Sequence, residues 1–180
     1  MTKKSSRLAR VFAGFALAVT AQAAASAGTN TLAVLDFDLI EEHHDPTQAA
    51  DMQRRIVRME SMFREGMLAR NFYEIKEIDA ARVQLKTLRE QQEHMHRCSA
   101  CQIQIGKAVG ARLVATGWVQ KVSNLILNIN IEIRDVEADR VVLNKSVDIR
   151  GNNDRAWEHG MKFMLRDFAE RRAHDSGYGL

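Results

Sequence analysis

No G-x-S-x-G, H-E-x-x-H, P-loop or Rossmann glycine pattern occurs in the 180 residues. Hydrolase and nucleotide chemistry therefore have no footing in the sequence. Gly106-Lys107-Ala108-Val109-Gly110 reads as a helix end, not a phosphate cradle. There are only two cysteines, Cys98 and Cys101. Gln102, not His, follows the second, which excludes the C-x-x-C-H haem-attachment motif. The single proline, Pro46, closes a polar stretch from Asp38 that reads as a loop. No repeat or low-complexity tract is present. No apolar run approaches the roughly 20 residues needed to span a bilayer. A surplus of positive charge is missing as well, once the first 27 residues are set apart. The chain has 26 Lys+Arg against 23 Asp+Glu, but Lys3, Lys4, Arg7 and Arg10 stand in a segment without acids, leaving 22 against 23. A net charge of −1 offers no electrostatic footprint for nucleic acid.

What is present begins with that segment. The four basic residues precede a short apolar run, Val11–Val19, and then Ala21-Gln22-Ala23 and Ala25-Ser26-Ala27. A basic region, a short apolar region and an A-x-A cleavage site make a secretory signal peptide, with cleavage expected after Ala23 or Ala27. The expected location is periplasmic or secreted. No cysteine stands at either cleavage site, so no acceptor for a lipid anchor is expected. About 150 residues remain, enough for one core and one domain. Residues 28–172 are expected to form that domain and 173–180 a flexible tail.

The apolar pattern supplies the elements. Thr31–Phe37 reads as a strand buried on both faces. Met52, Ile56, Met59, Phe63 and Met67 recur at three- and four-residue spacing, the stripe of a long helix that faces a core. Asn71–Ile75 reads as a short strand, and helices follow over Ala80–Gln92 and Cys98–Val109, with Gly110 as a stop. Leu113–Val122 is a strand. Next, Leu125, Leu127, Ile129, Ile131 and Ile133 alternate with Ile126, Asn128, Asn130, Glu132 and Arg134, a strand with one buried face and one mostly wet face. Val141, Leu143, Val147 and Ile149 repeat the alternation, interrupted by Lys145. Gly151–Asp154 is a turn and cap before a final helix with the stripe Trp157, Met161, Met164 and Phe168. The order β-α-β-α-α-β-β-β-α predicts an α/β (α+β) fold. It is a mixed sheet of about five strands with helices packed on its faces.

These elements carry a resemblance. Leu35-Asp36-Phe37, Gly110-Ala111-Arg112, Gly117 and Asp135-Val136 resemble the small periplasmic α/β domain shared by the TolB amino-terminal domain, the curli secretion protein CsgG and penicillin-binding-protein activator lipoproteins. Cys98 and Cys101 with Val122-Ser123, and Ile149–Asp154 with Trp157, are similar to a family of predicted secreted bacterial proteins of unknown function. The resemblance spans residues 31 to 172. It implies a binding or assembly module, not an enzyme. The chain departs from the first group in lacking a propeller, a channel-forming insertion and a lipid anchor.

Several residues could carry chemistry. Cys98 and Cys101 are spaced C-x-x-C near a helix start, where helix N–H groups would stabilise a thiolate. Three readings stand side by side. A structural disulfide suits an oxidising compartment. A redox-active pair is the second. The third is a Zn or Cu site using His94, Cys98 and Cys101 at i, i+4, i+7, joined by His96 if the helix starts only at Cys98. Glu41-Glu42-His43-His44-Asp45 is a second polar cluster, either a weak metal loop or a solvated one. Asp36 and Asp38 end the first strand, where ligands favour the crevice of open α/β sheets; the competing role is to tie down nearby backbone. Asn128, Asn130 and Glu132 are expected contact residues on the outer face of the meander, for a protein partner in the envelope.

Overall fold

Residues 30–180 are described by a computed structural model of the chain; the expected signal segment lies outside them. The buried run opening this region forms β1 (Thr31–Val34), followed at once by β2 (Asp38–Glu41). The chain continues as α1 (Ala49–Ala69), β3 (Glu74–Lys76), α2 (Arg82–Gln91) and α3 (Ser99–Ala108). It ends as β4 (Leu113–Lys121), β5 (Ile126–Asp135), β6 (Arg140–Arg150) and α4 (Asp154–His174). One mixed sheet of six strands runs β3-β1-β4-β5-β6, with β2 also paired to β4. The expected mixed sheet with helices on its faces is thus present, with β2 as an additional strand. The Asp38–Pro46 stretch, read as a loop, begins with that strand.

The connections follow from handedness. β1 to β3 steps one way across the sheet and β3 to β4 steps back, with all these pairings parallel. Right-handed crossovers in opposite directions put their helices on opposite faces. Accordingly α1 packs on one face and α2 with α3 on the other. The first face carries the larger core, where the whole α1 stripe of Met52, Ile56, Met59, Phe63 and Met67 meets Trp157, Met161, Met164 and Phe168 of α4. Burial of each such side chain contributes roughly 1.5–3 kcal/mol. α4 lies directly on β6 because residue 160 is glycine: a Cβ there would come within 2.2 Å of the Ile149 side chain. The second core gathers Ala33, Leu35, Leu85, Met95, Cys101, Ile105 and Val114.

Two sequence irregularities resolve into contacts. Lys145 points into the α4 side of β6 and ion-pairs with Asp167, which explains a charge in an apolar column. The Gly151–Asp154 turn is a hub. Asn152 Oδ1 accepts from Trp157 Nε1 and from Arg55 Nη1, each at 3.1 Å, and Asn153 Oδ1 caps α4 by accepting from Ala156 N at 3.0 Å.

The segment expected to be a flexible tail is packed against the core. Tyr178 meets Phe168 with ring centroids 5.4 Å apart. The buried Tyr73 hydroxyl donates to the Gly179 carbonyl at 2.7 Å, and burial pushes the Tyr73 phenol up to about 12. Tyr73→Phe leaves that carbonyl unpaired and should cost about 1–2 kcal/mol in urea unfolding. An unchanged midpoint would mean that the tail contact contributes nothing.

Candidate functional site

β1 and β2 both pair with β4, but not in one register. From Val34 to Asp38 the chain takes four steps, while β4 takes three, from Ala115 to Trp118. The extra residue inverts the alternation of side chains. Phe37 consequently enters the α1–α4 core, and Asp38 points to the opposite face beside Trp118. Without that inversion Asp38 would face the core.

On its own face Asp38 is 6 % exposed and fully engaged. Its carboxylate accepts from Arg89 Nη1 at 2.5 Å and from the Met95 backbone N–H at 3.0 Å. Arg89 Nη2 also donates to the Asp36 carbonyl at 2.6 Å, and Arg82 Nη1 donates to the Asp36 carboxylate at 2.7 Å. The two carboxylates at the β1–β2 junction, Asp36 between the strands and Asp38 at the start of β2, therefore clamp α2 and the Met95–Arg97 turn. Gln102 completes the frame, donating to the Met95 carbonyl and accepting from Arg134 Nε, each at 3.0 Å.

Arg82, Arg89, Gln102 and Trp118 were not singled out as site residues. Arg82 and Arg89 stand seven apart on α2 and so share a face, a readable signal. Arg82 pairs locally with Asp79 at 3.4 Å, but the partners that tie α2 to the sheet, Asp36 and Asp38, lie 46 and 51 residues away, which no local pattern shows.

The histidines are divided. α3 begins only at Ser99, and the backbone at His94 is extended (φ −130°, ψ 119°). No single helix carries His94, Cys98 and Cys101, so the i, i+4, i+7 spacing does not by itself put them on one face. His96 instead stacks on Trp118, with centroids 4.2 Å apart and planes 13° apart. His94 lies 5.6 Å from His96. Burial holds the His96 imidazole below its ordinary value; Asp38 opposes this, and His94 and Arg97 reinforce it. Its Nδ1 is buried without a hydrogen-bond partner.

Cys98 and Cys101 are at disulfide distance, with sulfurs 2.00 Å apart. Cys98 is the N-cap of α3, and its sulfur accepts from the Cys101 N–H at 3.2 Å. A Zn or Cu site at this pair would require the two sulfurs to be reduced thiolates. Among the described residues no group of three or more His, Cys, Asp or Glu converges as a metal set. In the 41–45 cluster, Glu41 accepts from Lys121 Nζ at 2.9 Å and Asp45 from the Thr47 N–H and hydroxyl.

The expected outer face of the meander is only partly open. Asn130, across from Trp118, is 9 % exposed, Asn128 is half-buried, and half-buried Glu132 pairs with Arg134 at 3.4 Å. The exposed polar row lies one strand further out, at Asn144, Ser146 and Asp148 of β6. Next to it is a cleft of about 660 Å³ between β6 and α4. It is the largest described, and its lining includes His159 but none of Cys98, Cys101, His94 and His96.

Two measurements follow. Cys98→Ser with Cys101→Ser removes a very short loop closure, so it should lower stability by about 2 kcal/mol in urea unfolding. An unchanged midpoint would show that the pair does not staple the start of α3. For His96, a depressed value means that the unfolded chain binds the proton better, so stability falls as pH drops through the range just below 6.5. The charged and titratable groups that act on it are Asp38, His94 and Arg97. His96→Phe keeps the stack and should lose less stability than the parent between about pH 7.5 and 5.5 in urea titrations. Equal losses would rule His96 out as the source.

Among solved structures, the chain is similar to the LpoB C-terminal domain from Salmonella enterica, at 12 % identity and TM-score 0.42, over 68 % of this chain and 83 % of that one. It is similar to TolB from Acinetobacter baumannii, at 11 % identity and TM-score 0.47, over 82 % of this chain and 29 % of that one. It is also similar to a lipoprotein from Neisseria meningitidis, at 14 % identity and TM-score 0.45, over 81 % and 97 %. No curated protein matches the chain. Residues 30–168 match the family described as "Protein of unknown function (DUF2380)", and the chain belongs to that family.

Proposed function

We propose that the protein is an exported accessory domain of the bacterial envelope that works by binding a protein partner through the β5–β6 side of its sheet. One observation carries this reading: β6, eleven residues long, is a free sheet edge beside an exposed polar row and the largest cleft. The β4–β5 hairpin tip adds exposed Val122, Leu125 and Ile126. Scattered apolar residues need no explanation, but a group at one end of a free edge suits a contact surface. The carboxylates of the β1 crevice are held by Arg82 and Arg89, which leaves them a structural task. Among the described residues no helix is long and apolar enough to cross a membrane. Export rests on the Lys3–Ala27 pattern. A second reading, thiol redox or metal handling, draws on Cys98 capping α3, where a reduced sulfur would be stabilised as thiolate.

Photo-crosslinking in intact cells tests the binding reading. A photoreactive residue at Asn144 should give a discrete protein adduct in the envelope fraction, and one at exposed Val57 on α1 should not. Adducts from neither position, or an unprocessed chain confined to the cytoplasm, would contradict it.

A further inference from the structure

We infer that the Ser146–Arg150 half of β6 is an acceptor for an extended peptide of a partner protein, which adds as a seventh strand and sets an apolar side chain into the cleft against α4. This rests on the binding role proposed above and names the partner's chemistry.

An edge strand aims alternate N–H and C=O groups away from its neighbour, and proteins usually guard such rows with short strands, bulges or inward charges. Two other strands with a free side, β3 and β2, are short, at three and four residues. β6 is guarded over its first half only. Its register with β5 shifts between Ile133 and Arg134, which leaves Val142 as an extra residue. Lys145 is an inward charge held by Asp167. From Ser146 to Arg150 there is neither device, and all five of these residues line the cleft. The unguarded backbone and the cavity therefore coincide.

The cleft has the form that strand addition requires. Main-chain bonds give affinity, and pockets for alternate side chains give specificity. Its α4 wall presents Ala156, Gly160 and Phe163, and Phe163 is 43 % exposed. The Arg166 guanidinium covers the Phe163 ring in part, 5.3 Å from its centroid, and the exposed remainder beside an open edge is a seat for an apolar side chain. Charge decides the rest. Arg150, Arg155 and His159 line the cleft with only one carboxylate, Asp148. Arg150 and Arg155 are exposed, and among the described residues neither is ion-paired. The complementary occupant is an extended segment that combines an apolar residue with an acidic one. A second copy of β6 would bring its own arginines against these and is the poorer match.

The test uses the mature protein and a random heptapeptide library displayed on phage. Selection should enrich peptides that pair an apolar with an acidic residue. Synthetic versions should shift the amide resonances of Ser146–Arg150 and slow their hydrogen exchange. Phe163→Glu, and separately Arg150→Glu with Arg155→Glu, should each weaken binding at least tenfold while leaving the thermal midpoint near the parent's. Absence of enriched peptides, or binding without protection of those amides, overturns the proposal. So does a dimer in sedimentation velocity that Phe163→Glu dissolves, since the occupant is then a second copy. Failure here with crosslinks persisting at Asn144 leaves the binding role standing with a different mode of contact; loss of both removes the role itself.

Discussion

Phe37 packs its ring onto the bare backbone of Gly117, where an added Cβ would lie 2.3 Å from the ring. That contact fixes the extra residue between β1 and β2, and the extra residue fixes which face each later side chain takes. Alternation in a strand has period two, so a single insertion moves every following residue to the other side. Here it sends Phe37 and Leu39 into the α1–α4 core and Asp38 to the face of α2 and α3. A carboxylate turned into the larger core would have no partner, at a cost of several kcal/mol.

From that position Asp38 organises a second layer. Through Arg89 it holds α2, and through the Met95 N–H it holds the turn before α3. The turn in turn presents His96 to Trp118 and places Cys98 as the cap of α3. The residue types that suggest catalysis or metal binding in the sequence are thus gathered into one region, where they hold the helices to the sheet. The longest free strand edge and the cleft against α4 lie elsewhere, along β6.

The helical stripes were legible because period 3.6 survives in Met52 to Met67 and in Trp157 to Phe168, and each of those residues is buried. The β5 strand was legible for the same reason at period two. β2 was not, because the insertion at Leu35–Phe37 breaks the alternation and the acids Asp36 and Asp38 read as loop residues. Periodicity assigned Asn130 to a face but could not say that the face is covered there, since the cover includes a turn more than thirty residues upstream. The His94, Cys98, Cys101 spacing is meaningful only on a continuous helix, and the chain is extended at His94. The ion pairs of Arg82 with Asp36 and of Arg89 with Asp38 are products of topology, while the Arg82–Asp79 pair is local. The family match extends the likeness already visible in the cysteine and Asn-Asn motifs, of which Asn152 and Asn153 serve as hub and cap.

The central claim is that Gly117 makes room for Phe37 and thereby sets the parity of β2. A double-mutant cycle on Gly117→Ala and Phe37→Leu, read by urea denaturation, tests it most directly. Gly117→Ala should cost about 1–3 kcal/mol with Phe37 in place and much less in the Phe37→Leu background. Equal costs in both backgrounds would show that the two residues are independent, and the account of the β1–β2 junction would fail.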